Sequence, residues 1–298
     1  MTSISRFCEK VQMVNIIYTH CNSGAGDILI HHWLKSIKLH IDLTNIEIVV
    51  IDFGLTPDQR DTLRDEGVEL WPAQADGRTP NIQYREIARY LATRDDVGQV
   101  VYSDCGDLIF QADIAPILRD DTSMMKAVVE PEFNVALHGI TLGFGDVRPE
   151  YLDEIRKTIG NRSTANCGFV VGPAAKIAAI WDTYQKLCHG VDLHGTDQLI
   201  INYILRRDGF VELDRIWNYV TFINGQRFYY DRDGFLCNHQ GRIPVVHNAG
   251  RYNSVRTIKG FGYRCGRIRP RLYTESIRLF YRGLNWLHGI FHNRATTT

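Results

Sequence analysis

The 298-residue sequence predicts an α/β fold: a doubly wound, mostly parallel sheet with flanking helices and a C-terminal helical tail. Three observations predict it. Short β-branched apolar runs alternate with segments of helical period, the pattern of a parallel sheet wrapped by helices. The chain is 44% apolar and 23% charged, and it is long enough to bury a sizeable core. The alternation stops near residue 251, where the composition turns basic.

The elements follow in order. "VQMVNIIYTH" (11–20) reads as a first buried strand, and "GDILIHHWLKSIKLH" (26–40) as a helix with Ile30, Trp33, Leu34 and Ile37 on one face. "IEIVVID" (46–52) is the second strand. A helix follows with Thr56 as N-cap, Pro57 at its first position and Gly67 as its stop. "VELWP" is a third strand, "IQYREIARYLA" (82–92) a helix, and "GQVVYSD" (98–104) a fourth strand. "MMKAVVEP" (124–131) is a strand, "RPEYLDEIRKTIG" a helix and "NCGFVVGP" (166–173) a strand carrying small residues. Helices are expected over 174–188 and 195–209, the latter capped near Thr196. "VELDRIWNYV" (211–220) and "RIPVVHNAG" (242–250) read as late strands. "NSGAG" lacks the full glycine patterns of phosphate-binding loops and reads as a turn.

Charge divides the chain. Formal net charge is zero, which argues against a nucleic-acid partner. Yet residues 251–298 hold ten Lys/Arg and one acid, Glu275, and residues 1–250 are correspondingly acidic. The expected organisation is a catalytic domain over 1–250 and a basic tail over 251–298 with its own anionic partner. Seven cysteines form no Cys-x-x-Cys pair and read as reduced thiols of a cytoplasmic protein. "MTSISRFCEKVQ" has no apolar signal segment, and no apolar run reaches the ~20 residues that span a bilayer.

The candidate chemistry begins at "VVYSDCGDLIF" (100–110), where Asp104 and Asp107 follow a buried strand. Open α/β sheets bind ligands at the carboxyl ends of their strands. Carboxylates there can hold a hard cation, cap a helix or turn the chain. His247, near the end of a late strand, could join them, because strand ends converge at one sheet edge; a mixed carboxylate–imidazole shell favours Mn2+ over Mg2+.

Four spaced segments resemble the GT-A nucleotide-sugar glycosyltransferases, most of all glycosyltransferase family 8. They are "YREIARYLA…VVYSDCGD", "NCGFVVG", "TDQLIINYIL" and "VVHNAG", in family order over roughly residues 13–250. The resemblance implies a GT-A fold and transfer of a hexose from a nucleotide diphosphate sugar, with UDP the expected nucleotide. It implies a glycan or lipid-linked acceptor and a divalent cation, Mn2+ or Mg2+, held by Asp104, Asp107 and His247. Thr19, Arg85, Asp104, Asn166, Gly168 and Gly250 would bind the donor. Asp197 would bind sugar hydroxyls, and Gln198 would lie near the anomeric carbon.

The sequence departs from the family pattern in four places. Gly106 stands where the family has its second motif Asp, so three arrangements are open: a bulge at Gly106 that brings Asp107 to the cation, a site of Asp104 and His247 alone, or weak binding. The bulge is the favoured reading, since glycine permits unusual φ. Leu199 replaces a second helix Asp. Asn253 replaces a late Lys, which leaves Arg251, Arg256 or Lys259 to meet the diphosphate. The first strand lacks the family's acid, leaving Thr19 and its backbone as candidate base contacts.

The resemblance implies retention of configuration by front-face displacement, the leaving phosphate helping to deprotonate the acceptor. Inverting chemistry would need a carboxylate base, Asp197 or Asp192. A catalytically inactive sugar-nucleotide or glycan-binding module is the alternative function, and a nucleotidyltransferase ranks lower. In the tail, Tyr273, Ile277, Phe280, Leu284, Leu287 and Phe291 recur at helical spacing behind "RCGRIRPR". That pattern is open to two readings: a helix docked on the body, or a peripheral contact with the anionic inner face of a membrane.

Overall fold

The computed structural model describes residues 13–134, 143–160, 162–222, 227–250, 254–280 and 282–283. A seven-stranded sheet is its frame. The strands are β1 (Val14–Cys21), β2 (Ile46–Asp52), β3 (Glu69–Pro72), β4 (Val97–Ser103), then β6 (Lys126–Asn134), β7 (Ser163–Pro173) and β8 (Val211–Leu213), with β5 (Leu108–Phe110) outside this sheet. Their spatial order is β3-β2-β1-β4-β7-β6-β8. β7 runs antiparallel to both neighbours, and the other pairs are parallel. The mostly parallel, doubly wound sheet is therefore as expected.

Continuous apolar runs make β1 and β4 buried on both faces: Ile16, Ile17, Val100 and Val101 have no exposed surface. The first helical run comprises α1 (Gly26–Ile28), a π-helical turn (Leu29–Leu34) and α2 (Lys35–His40). With α3 (Pro57–Asp65), it covers one face through Trp33, Ile37 and Leu63. On the other face, Ile82 and Ile87 of α4 (Thr79–Leu91) pack with Ile177 and Ile180 from a later helix.

After the short α5 (Ala115–Arg119), that face is completed by α6 (Leu152–Ile159), α7 (Ala174–Leu187) and α8 (Thr196–Asp208). Local rules set several boundaries. Thr56 and Gln59 form a reciprocal capping box that starts α3, with Pro57 behind Thr56. α4 begins at Thr79, three residues before the expected start, because Pro80 fits its first turn.

The C-terminal third departs more from expectation. "VELDRIWNYV" is not one strand. The Asp214 carboxylate accepts from the Ile216 backbone N–H (3.0 Å) and starts a 3-10 turn, Arg215–Asn218, which separates β8 from β9 (Tyr219–Val220). "RIPVVHNAG" is likewise interrupted, by Pro244. β10 (Tyr229–Tyr230), β11 (Leu236–Asn238) and β12 (Gly241–Arg242) form one small sheet, and β13 (Val245–His247) lies between β5 and β9 in another.

The basic tail contains a hairpin, β14 (Ile258–Gly262) with β15 (Cys265–Ile268), followed by a helix over 271–280. Ile258 packs with Ile109, Tyr219 and Val246, so the change of charge at 251 is not a break in packing. Ile277 packs near Val220 and Phe222. Leu284, Leu287 and Phe291 of the expected stripe lie outside the described residues, as do Arg251 and Asn253. Among the described residues no helix is long and apolar enough to cross a membrane.

Candidate active site

Asp104, Asp107 and His247 converge although 140 residues separate the sequence positions of Asp107 and His247. One ligand atom from each lies within 4.8 Å of the others. His247 Nε2 is 3.3 Å from Asp107 Oδ1 and 3.7 Å from Asp104 Oδ2. Asp104 follows directly on β4. Asp107 immediately precedes β5, whose Leu108 registers with His247 across the antiparallel β5–β13 pair. The Asn248 N–H donates to the Asp107 carbonyl (2.8 Å) and fixes that register.

Strand pairing thus delivers Asp107, and an unusual glycine conformation does not. Gly106 is absent from the positive-φ residues, and nothing lies within 4 Å of where its Cβ would be. The expected use of φ freedom at Gly106 is corrected accordingly.

The close approach that does need a glycine is at Gly168 on β7. A Cβ there would lie 2.5 Å from His247 Cε1 and 2.6 Å from Asp104 Oδ2. The Gly168 carbonyl also accepts from the Asp104 N–H (2.9 Å), pinning the carboxylate's backbone to β7.

A buried amide chain orients the histidine. His247 Nδ1 meets Asn218 Oδ1 at 2.9 Å, and the Asn218 amide donates to Asn166 Oδ1 (3.1 Å). Asn166 Nδ2 in turn donates to Glu130 (2.5 Å). With Nδ1–H donating to Asn218, the Nε2 lone pair faces the two carboxylates, the tautomer suited to a metal ligand. Asn218 is the positioning residue that the sequence reading missed. Its signal was Asp214, whose capping tendency breaks the apparent strand and starts the turn that carries Asn218.

The two carboxyls differ. Burial and the neighbouring Asp107 charge push the Asp104 carboxyl up to about 6, although Tyr102 donates to it at 2.6 Å. Burial acts in the same direction on Asp107, but His247 and the Arg256 guanidinium (2.9 Å) hold it below the usual carboxylate range. Burial opposes a charge on His247, yet the carboxylates beside it raise its pKa. Asp104 keeps 35% of its side chain exposed against 4% for His247, so the cluster opens to solvent through Asp104.

The remaining expected residues divide into two groups. Around Gly168, Asn166 Oδ1 accepts from the Gly168 N–H (2.8 Å), and Gln198 accepts from the Cys167 N–H (3.0 Å) while donating to the Ala165 carbonyl (2.5 Å). Both side chains thus hold β7 beside Gly168 and the Asp104 carboxylate. Asp197, in the first turn of α8, lies 3.3 Å from Cys167 Sγ, and its charge is felt at Asp104. Gly250 has φ +145°, and its carbonyl accepts from Arg256 Nε (3.0 Å), which steers that side chain towards Asp107.

The second group lies elsewhere. Thr19 is fully buried, so its side chain belongs to the core, which leaves its backbone for the expected base contact. Arg85 pairs with Asp76 (2.7 Å) and Glu86 (2.6 Å), not with the Asp cluster, because those carboxylates flank it on its own helix and the preceding loop. Asp192 is exposed in the loop before α8, and Lys259 is exposed on β14.

No family model and no curated protein matches the sequence. Solved structures do match. A galactosyltransferase LgtC structure in complex with donor and acceptor sugar analogs aligns with TM-score 0.52 and 15% identity, covering 91% of this chain and 95% of that one. An active-site variant of LgtC aligns with TM-score 0.52 and 14% identity over 80% and 88%. The glycosyltransferase GlyE of Streptococcus pneumoniae TIGR4 gives 0.50 and 14%, over 95% and 64%. The fold is that of the GT-A glycosyltransferases. In the GT-A fold found here, the acidic cluster sits at the carboxyl end of β4, beside the antiparallel β7.

Proposed function

We propose that the chain is a glycosyltransferase that moves a hexose from a nucleotide diphosphate sugar, a UDP-hexose, to a glycan or lipid-linked acceptor. The observation that carries this reading is the convergence of Asp104, Asp107 and His247, with Asp104 and His247 packed close against a glycine that lets them meet. The donor set suits Mn2+ or Mg2+: two carboxylates and an imidazole whose far nitrogen is already tied to Asn218. A cation held by these three residues would offset the negative charge that develops on the departing diphosphate.

The chain's own groups have separate tasks. Tyr102 orients Asp104, Asn218 orients His247, and Arg256 offsets the charge of Asp107. Gly168 lets Asp104 and His247 approach β7, and Asp197 offers a carboxylate to the sugar hydroxyls. One of the similar LgtC structures is of a variant with an active-site glutamine changed to glutamate; Gln198, which accepts from the Cys167 N–H, is this chain's candidate for an equivalent position. Retention of configuration by front-face displacement is the finer part of the proposal. Anomeric NMR of the product checks it.

The alternative of an inactive binding module rested on Gly106 and Leu199. Asp107 reaches the cluster despite Gly106, and Leu199 lies wholly in the core, so neither favours it. Leu272, Leu279 and Phe280, all exposed beside Arg271 and Arg278, support the proposed peripheral contact with an anionic membrane. The deciding experiment is UDP-hexose hydrolysis with and without Mn2+. The proposal expects Mn2+-dependent release of UDP, lost in Asp104→Ala. Release that ignores both the cation and the substitution would sink it.

A further inference from the structure

A second basic feature lies just beyond the cluster. A cavity of about 350 Å³ is bounded by the turn after β9, the start of β10, the end of β15 and the helix over 271–280. That volume is at the lower end of the ~300–1,000 Å³ typical of small-molecule sites. Its lining contributes four guanidiniums, from Arg227, Arg269, Arg271 and Arg278, against a single carboxylate, Glu275. Glu275 is already engaged: it pairs with Arg278 at 3.0 Å and Arg271 at 3.8 Å. Arg278 Nε is nevertheless buried without a hydrogen-bond acceptor. Leaving such a donor unmatched is costly unless an incoming oxygen meets it. Phe222, Phe228 and Tyr229 supply aromatic wall beside these cations.

The cavity adjoins the cluster through backbone. Val220 registers with His247, and the N–H of Thr221, a cavity residue, donates to the His247 carbonyl (3.1 Å). Arg256 joins the two regions from the other side. Its guanidinium holds Asp107, while its carbonyl accepts from Arg269 Nε at 2.9 Å.

We infer that this cavity binds a glycosyl phosphate, the phosphate on the guanidinium cluster and the sugar ring against the aromatic wall. Planar guanidiniums suit phosphate oxygens, and an excess of them over carboxylate selects a dianion. That the occupant is the acceptor, or its phosphate-bearing end, rests on the glycosyltransferase reading; the binding itself does not. The phosphate could come from a free sugar phosphate or from a lipid-linked one.

The test is calorimetric titration of the full chain in EDTA with galactose 1-phosphate, galactose and inorganic phosphate, beside nanodiscs with and without a polyprenyl-phosphate hexose. The expected result is saturable binding of galactose 1-phosphate, tighter than either fragment. Arg278→Ala and Arg271→Ala should each weaken it about tenfold, with Arg278→Lys between. Arg271 is largely exposed and serves if Arg278→Ala loosens the helix. Arg267→Ala removes a tail cation outside the cavity and should change nothing. Preference for the loaded nanodisc over the empty one identifies the lipid-linked source; equal binding of the two nanodiscs alongside tight galactose 1-phosphate identifies the free one.

Three results overturn the inference: no saturable binding from either source, inorganic phosphate binding as well as the sugar phosphate, or an equal loss in Arg267→Ala. Binding that disappears in Asp104→Ala would also overturn it, by moving the ligand to the carboxylate cluster. Wild-type chain that binds the sugar phosphate but never hydrolyses a UDP-hexose would leave the cavity intact and remove the proposed function instead.

Discussion

The two walls of the cluster are built differently. Asp104 hangs from β4, which pairs parallel with β1 and antiparallel with β7 in a sheet that buries continuous aliphatic surface. His247 sits on a three-residue strand, held by partners of two and three residues. That wall relies on buried amides. Gln111 accepts from the Leu236 N–H and donates to the Leu236 and Ile243 carbonyls, at 2.9, 2.9 and 2.8 Å. Asn248 brackets Ile258, donating to its carbonyl (2.9 Å) and accepting from its N–H (3.1 Å). The difference teaches that one ligand is fixed by apolar burial and the other by individual hydrogen bonds. Loss of a single amide should disturb the second wall more than loss of a methyl disturbs the first.

The strongest way to break the comparison is at their seam. Gly168→Ala drives a methyl between Asp104 and His247 and should lower Mn2+-dependent donor hydrolysis about 100-fold or more, since small misplacements of reacting groups are that costly. Steady-state kinetics checks it. Asn218→Ala, on the amide wall, removes the partner of His247 Nδ1 and should weaken Mn2+ affinity about tenfold to hundredfold, read by calorimetry, with the melting temperature as control.

Stability separates the walls next. Gln111→Ala leaves the Leu236 N–H and the Ile243 carbonyl without their buried side-chain partner and should cost about 2–3 kcal/mol. Ile17→Val in β1 should cost about 1 kcal/mol. Urea midpoints at fixed m-value decide, and equal losses would erase the distinction.

A pH dependence belongs to the sheet wall. Burial pushes His20, at the end of β1, down to about 4 from its ordinary 6.5. The unfolded chain therefore binds the proton more readily, so stability present above 6.5 is lost as pH falls towards 4. His20→Asn should flatten that part of the urea-midpoint profile. The smallest effect is expected at Gly106→Ala, where a Cβ meets nothing. It should leave Mn2+ affinity within about twofold, in contrast with Gly168→Ala.

The same contrast explains what the sequence disclosed. β2 matches the expected strand at both ends, and α3 starts at its expected cap, because apolar period and capping are local signals. Asp104, Asp107 and His247 were legible as ligand types at strand ends, and the GT-A order of segments was legible with them. The turn at Arg215–Asn218 and strand β5 were not. They are fixed by long-range register and by side chains such as Asn218 and Gln111, which no periodicity marks. The engagement of Arg85 with Asp76 and the depth of the Thr19 side chain were not legible for a related reason: both are tertiary facts.

The central claim is that Asp104, Asp107 and His247 together hold a divalent cation. Mn2+ titration followed by electron paramagnetic resonance tests it most directly, on wild type, Asp104→Ala and His247→Ala. The account predicts saturable uptake of a single ion per wild-type chain, with affinity collapsing in both variants while their melting profiles persist. A wild-type chain that leaves the free Mn2+ signal undiminished, or variants that bind as tightly as wild type, would contradict it.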